Sequence, residues 1–138
     1  MRKNQSGVAL LEALVGILIF SIGILAMMGL QAQSIRNTVE AKYRNEAAYL
    51  ADQIIGQMWV DRANLAAYDT TSGANQNMLD WRTKVAATLP RVTPGGTNSP
   101  SITVAGNQVT VQVFWQMPGT NSAQREFLVV AQINDTGP

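Results

Sequence analysis

Apolar and polar positions divide the chain into three stretches with different periods. Residues 7–30, GVALLEALVGILIFSIGILAMMGL, are apolar all round and carry one charge, Glu12. The 23 residues from 8 to 30, at about 1.5 Å each in a helix, span the roughly 30 Å hydrocarbon core of a bilayer. Residues 31–67 contain no proline and Gly56 as their one glycine, which predicts that the same helix continues through them. Its next part is charged, with Arg36–Glu40, Glu40–Arg44 and Lys42–Glu46 as i, i+4 pairs on a solvated stem. The pattern then turns amphipathic: Ala47, Leu50, Ala51, Ile54, Met58 and Leu65 recur at helical spacing, with Asp52, Gln53 and Gly56 opposite.

Residues 68–77, YDTTSGANQN, have no periodicity and read as a loop. Asn77 followed by Asp80 resembles a capping arrangement, so a short helix is expected over 78–89, stopped by Pro90, with Trp81, Val85 and Leu89 on one face. Residues 90–100, with three prolines and two glycines, form a second loop. Beyond it the period becomes two. Val109, Val111, Val113 and Trp115 alternate with Gln108, Thr110, Gln112 and Gln116, the mark of a half-buried strand. Gly106-Asn107 is a tight turn by composition, and a two-residue turn there pairs Val104 with Val109 and Ile102 with Val111, so the apolar faces coincide. After a connection over 118–122, Phe127, Val129, Ala131 and Ile133 make a third strand. The expected fold is α+β: a long N-terminal helix whose second half covers a small antiparallel sheet over residues 101–134.

Composition narrows the chemistry. At 138 residues, with about thirty in the leader and apolar run, one small domain remains. The chain has no Cys and no His, which removes disulfides, thiol nucleophiles, imidazole catalysis and the commonest zinc ligand sets. No compact carboxylate pair, metal-like cluster or G-x-S-x-G motif stands out, so neither an enzyme nor a cofactor is expected. Basic residues number 10 and acidic 9. They are scattered and interleaved, unlike the stripe that binds phosphates, so no nucleic-acid binding is expected.

Arg2 and Lys3 precede the apolar run, and the positive-inside rule then puts the N-terminus in the cytoplasm and the C-terminal domain outside the inner membrane. An ordinary secretory signal, cut near Ala32, is the alternative; its apolar region spans roughly 7–15 residues and holds no glutamate. Glu12 needs a reason, since an acidic residue costs about 2.5–3.5 kcal/mol at the centre of a membrane helix and less near an end.

Gly7, then Val8-Ala9-Leu10-Leu11 and Glu12, followed by the apolar helix, resembles the class III leader junction of type IV pilins and type II secretion pseudopilins. Leu11-Glu12-Ala13-Leu14-Val15, Ser21-Ile22-Gly23-Ile24-Leu25 and Gly29-Leu30-Gln31-Ala32 are similar to the N-termini of PilV-type minor pilins. Val8 departs from the phenylalanine usual in the family, and Gly29 stands where major pilins commonly have proline. The resemblance covers residues 7–67 and, in general plan, the remainder.

The resemblance implies a pilin fold in three parts: a leader over 1–7, a membrane and filament-core helix over 8–30, and a periplasmic head over 31–138. It implies cleavage between Gly7 and Val8 by prepilin peptidase, N-methylation of Val8, and docking through Glu12. The cut leaves a positive amine at Val8; in an apolar filament core an unpaired charge is very costly, and Glu12 of one subunit would neutralise the amine of another. The implied function is that of a minor pilin in the complex that starts pilus assembly at the tip. Its partners would be other minor pilins, the major pilin and the inner-membrane assembly platform, with lipid before assembly. A minor pseudopilin of a type II secretion system shares these features. A plain membrane anchor for a periplasmic binding domain, with Glu12 reaching the headgroups, is the other alternative. Ala9, Ala13, Gly16, Gly23, Ala26 and Gly29 offer small surfaces for helix contact.

Overall fold

One helix dominates the chain: α1 spans Ser6–Val60 without a break. The computed structural model describes residues 6–119 and 123–134. The expected leader therefore lies outside the described residues except for its last two positions, as does most of the 118–122 connection. The chain divides into two compact units, Met1–Val39 and Glu40–Pro138. In the second, the amphipathic stripe behaves as its spacing predicts, and Ala47, Leu50, Ala51, Ile54 and Met58 are buried against the sheet side of the head.

The helix ends seven residues before the expected 67. Asp61 leaves helical geometry (φ −106°, ψ 36°), and a 3-10 segment, η1, follows over Arg62–Tyr68, itself irregular at Asn64. Two forces account for the change. The Asp61 carboxylate accepts from Asn64 Nδ2 at 2.7 Å, from Tyr68 Oη at 3.2 Å and from Asn75 Nδ2 at 3.4 Å, drawing the chain around itself. The 3-10 pitch places residues three apart on one face, which lets Leu65 and Tyr68 both enter the core.

α2 runs over Gln76–Thr88, and its cap is Asn75 rather than Asn77. Asn75 Oδ1 accepts the Asn77 backbone N–H at 2.8 Å, satisfying one of the helix's free donors. Asp80, the expected capping partner, instead accepts from Gln76 Nε2 at 2.7 Å. Leu89 is the C-cap with extended backbone (ψ 141°), as steric conflict with the following proline requires. Met78, Trp81, Val85 and Leu89 are buried, and Trp81 Nε1 donates to the Leu50 carbonyl of α1 at 2.8 Å.

Strands β1 (Ser101–Ala105), β2 (Gln108–Gln116) and β3 (Gln124–Gln132) form an antiparallel sheet in that order. The expected register holds: Val104 faces Val109, and Ile102 faces Val111. Val109, Val111, Val113 and Trp115 are buried on the inner face of β2. Burial thins out across β3, where Phe127, Val129 and Ala131 are half-buried and Ile133, just past its end, is buried.

Trp115 Nε1 is buried with no hydrogen-bond partner among the described residues. An unpaired buried donor carries a desolvation cost that a paired one does not. Trp81→Phe and Trp115→Phe remove the same atoms, yet Trp81→Phe is expected to cost about 1 kcal/mol more, the net worth of its hydrogen bond. Equal shifts of the two variants in thermal melting would refute this.

Of the three expected helix pairs, Lys42–Glu46 is present at 3.8 Å. Glu40 turns instead to the sheet, where its carboxylate meets Arg125 Nε of β3 at 3.0 Å. Arg125 lies opposite Trp115 and so shares the inward face of the sheet, which a pattern read along the helix alone does not contain.

The far edge of β1 is sealed by loop residues. Thr70 N donates to Ile102 O at 2.9 Å, Ile102 N to Thr70 Oγ1 at 3.1 Å, and Val104 N to Asp69 Oδ2 at 3.0 Å. The Thr71 hydroxyl, followed by the backbone N–H groups of Val104 and Thr71, pulls the Asp69 pKa from 3.8 down to about 2. A pKa lowered in the folded state adds stability that is fully present above the unfolded value and is lost as pH falls through the folded one. Between about pH 4 and about pH 2, the melting temperature of the natural chain is therefore expected to fall more steeply than that of Asp69→Asn. Parallel pH profiles would show that the carboxylate's charge plays no part in the edge.

Candidate functional site

The expected processing and docking residues all sit on the first two turns of α1. Gly7 lies inside the helix, and an added Cβ there would meet nothing. Val8 and Glu12 are exposed and one helical turn apart, about 6 Å along the axis. Side chains four residues apart share a helix face, so the carboxylate and the residue that would carry a new N-terminus lie on one side of the helix.

The apolar surface around them is uncovered. Every residue from 7 to 38 is exposed, and none of the helix's most apolar window is buried. Ser21, the hydroxyl within that window, bonds to the Ile17 carbonyl at 2.7 Å and so presents no unpaired donor. An added Cβ at Gly16, Gly23 or Gly29 would meet nothing within this chain. The unit's own fold therefore gives no reason for these glycines, although each costs an isolated helix about 1 kcal/mol relative to alanine. By length and composition the helix can cross a membrane.

A second candidate lies in the head. A groove of about 520 Å³ is lined by Gln53, Gly56, Gln57, Val60, Asp61 and Asn77. Its one carboxylate, Asp61, is held by Tyr68, Asn64 and Asn75. Burial, followed by the nearby Asp61 charge, raises the Tyr68 pKa against the opposing Asn77 hydrogen bond, so the phenol stays protonated as a donor to Asp61. These groups lock η1 to the start of α2 and offer no nucleophile beside a free base. Among the described residues no group of three His, Cys, Asp or Glu could hold a metal ion.

Reading the sequence alone missed the Asp69–Thr70 seal on β1 and the Asn75 cap. The signal for the cap was the Asn-x-Asn run, in which Asn75 and Asn77 compete for the same role. The seal joins residues 32 and 35 positions apart and left no local signal.

The prokaryotic N-terminal methylation motif matches residues 2–28, which contain Gly7, Val8 and Glu12. No curated protein and no solved structure matches the chain. The motif supports a type IV pilin-like protein, a pilin or pseudopilin processed by prepilin peptidase, and it points to a structural role rather than catalysis. The long apolar N-terminal helix packed, in its later turns, on a small three-stranded antiparallel sheet is the α+β arrangement of pilins. The exposed apolar helix suggests membrane anchoring of the precursor.

Proposed function

We propose that this chain is a minor pilin of a type IV pilus, of the PilV type, that acts in the tip complex starting assembly. Residues 1–7 are its cytoplasmic leader, 8–30 its membrane and filament-core helix, and 31–138 its periplasmic head. Prepilin peptidase cuts between Gly7 and Val8, and Val8 is N-methylated. Glu12 then pairs with the terminal amine of a neighbouring subunit as the helix leaves lipid for the filament core. Other minor pilins, the major pilin and the inner-membrane assembly platform are its partners.

The observation that carries this reading is the helix from Val8 to Leu30, apolar and uncovered, with its single carboxylate one turn from the cut. In lipid that carboxylate is a cost; beside an amine in an apolar core it offsets another. The runs Leu11-Glu12-Ala13-Leu14-Val15 and Ser21-Ile22-Gly23-Ile24-Leu25 favour the minor pilin over the pseudopilin.

N-terminal mass analysis of membrane-extracted protein is expected to find a chain beginning at methylated Val8, and Glu12→Ala is expected to be processed normally but to enter filaments at least tenfold less. An intact leader in cells that process other prepilins would sink the pilin reading. Normal filament entry by Glu12→Ala would remove the docking role, and incorporation only into a secretion pseudopilus would move the chain to the other branch.

A further inference from the structure

The two edges of the sheet are treated differently. On β1, Ile102 and Val104 point their backbone groups away from β2, into Thr70 and Asp69. Antiparallel ladders alternate in direction, so Ser101, Thr103 and Ala105 face β2, and their partners Gln112, Thr110 and Gln108 face back. The odd residues of β2 then face β3, where they meet Arg125, Phe127, Val129 and Ala131. That leaves the N–H and C=O groups of Glu126, Leu128 and Val130 directed outward along the far edge of a nine-residue strand. No other described residue bonds to them there.

The flanks of this edge are apolar on both sides. Leu128 and Val130 are 51% and 49% exposed on the outer face. On the inner face Phe127 and Val129 are half-buried, while their neighbours on β2 are fully covered. Of the charges nearby, Arg125 is paired with Glu40, and the Glu126 carboxylate is turned back over the sheet, where it accepts from the neutral Gln112 Nε2 at 3.0 Å. Long edges are ordinarily blunted by charge, proline or a covering loop, as β1 is here by its loop.

We propose that β3 accepts an extended polypeptide segment of a neighbouring, different chain as a fourth strand. Alternating outward N–H and C=O groups recognise another extended backbone, and the apolar residues on both flanks call for a segment with an uncharged, apolar centre and no proline. The choice of a different chain rests on the pilin reading above. In the antiparallel register that would set Leu128 opposite itself, two copies would run residues 47–58 of α1, which pack with the sheet, in opposite directions. Copies packed side by side in one filament run that stretch the same way.

The test uses the full-length chain in detergent micelles and, as probe, a synthetic peptide with the sequence of residues 124–132, whose centre is apolar on both faces. Saturating peptide is expected to slow amide exchange at Leu128 and Val130 at least tenfold and to leave the already sealed Ile102 and Val104 unchanged. Leu128→Pro removes one outward N–H and no bond to β2, a place where an edge strand tolerates proline; it is expected to melt like the natural chain and to lose the protection. Unchanged exchange in the natural chain, a measurement that does not depend on the variant folding, would overturn the proposal, as would protection that persists in Leu128→Pro. Protection that rises with protein concentration without peptide would assign the edge to a second copy and overturn the choice of occupant. In cells, a Leu128→Pro chain that folds and enters filaments at the natural level would refute the strand while leaving the pilin reading intact. Failure of the natural chain to lose its leader would instead strike that reading alone.

Discussion

Ile54→Ala is expected to destabilise the head by about 2–5 kcal/mol, the range for truncating a fully buried aliphatic side chain to alanine. Ile54 is fully buried at the centre of the stripe formed by Ala47, Leu50, Ala51 and Met58. Buried neighbours on both sides, from Ala47 to Met58, hold this part of the helix, so it has little freedom to collapse into the space left behind. For a domain of this size each kcal/mol shifts melting by about 4–8 °C, so the variant head is expected to melt at least about 8 °C lower. The loss should be confined to the head: far-ultraviolet signal from residues 7–38, all of them exposed, should survive the transition. A shift under about 2 °C would show that the stripe is not the keystone of the core.

The same stripe shows why so much of the fold was legible. Along α1 and β2 the apolar period and the local geometry agree, and at Gly106-Asn107 the turn chemistry and the strand pattern demand the same register, so each reading checks the other. The end of α1 was illegible for a physical reason. Nothing in residues 61–67 breaks a helix by propensity; the break comes from Asp61 gathering Asn64, Tyr68 and Asn75, the last of them 14 positions away. Glu40 was misassigned in the same way, since a helical i, i+4 partner is visible in sequence and an Arg125 across the fold is not. The thin cover over β3 also escaped, because alternation tells which face points inward but not how far a single helix reaches across it.

The candidate site behaved in the opposite manner. Gly7, Val8 and Glu12 were singled out by the resemblance of the leader junction, and the fold of the single chain adds only that Val8 and Glu12 share one exposed helical face. In the function proposed above their chemistry is directed outward, at a peptidase, at lipid and at other subunits, so the packing of the head would not create it. The glycines at 16, 23 and 29 make the same point from the other side. They fill no internal need, and close approach of another helix is the physical setting in which the lack of a side chain offsets its conformational cost.

Gly73→Ala is expected to cost about 3 kcal/mol, the upper part of the range for forcing extra volume into a packed site. A Cβ at Gly73 would stand 2.1 Å from Ala67 O, 2.6 Å from Ala67 C and 2.7 Å from Asp69 O, all of them backbone atoms that cannot rotate aside. The carbonyl of Ala67 also accepts Asn75 N at 3.2 Å, and that of Asp69 accepts Gly73 N at 2.7 Å. Moving either displaces Asn75 from the start of α2 or Asp69 from the edge of β1, so one methyl group disturbs a helix cap and a strand seal together. The damage should therefore have two signatures beyond a lower melting temperature: faster amide exchange at Ile102 and Val104, whose N–H groups bond to Thr70 and Asp69, and a pH profile closer to that of Asp69→Asn. Loss of melting temperature without faster exchange at Val104 would mean that the loop yields toward α2 alone and that the seal on β1 stands independently of Gly73.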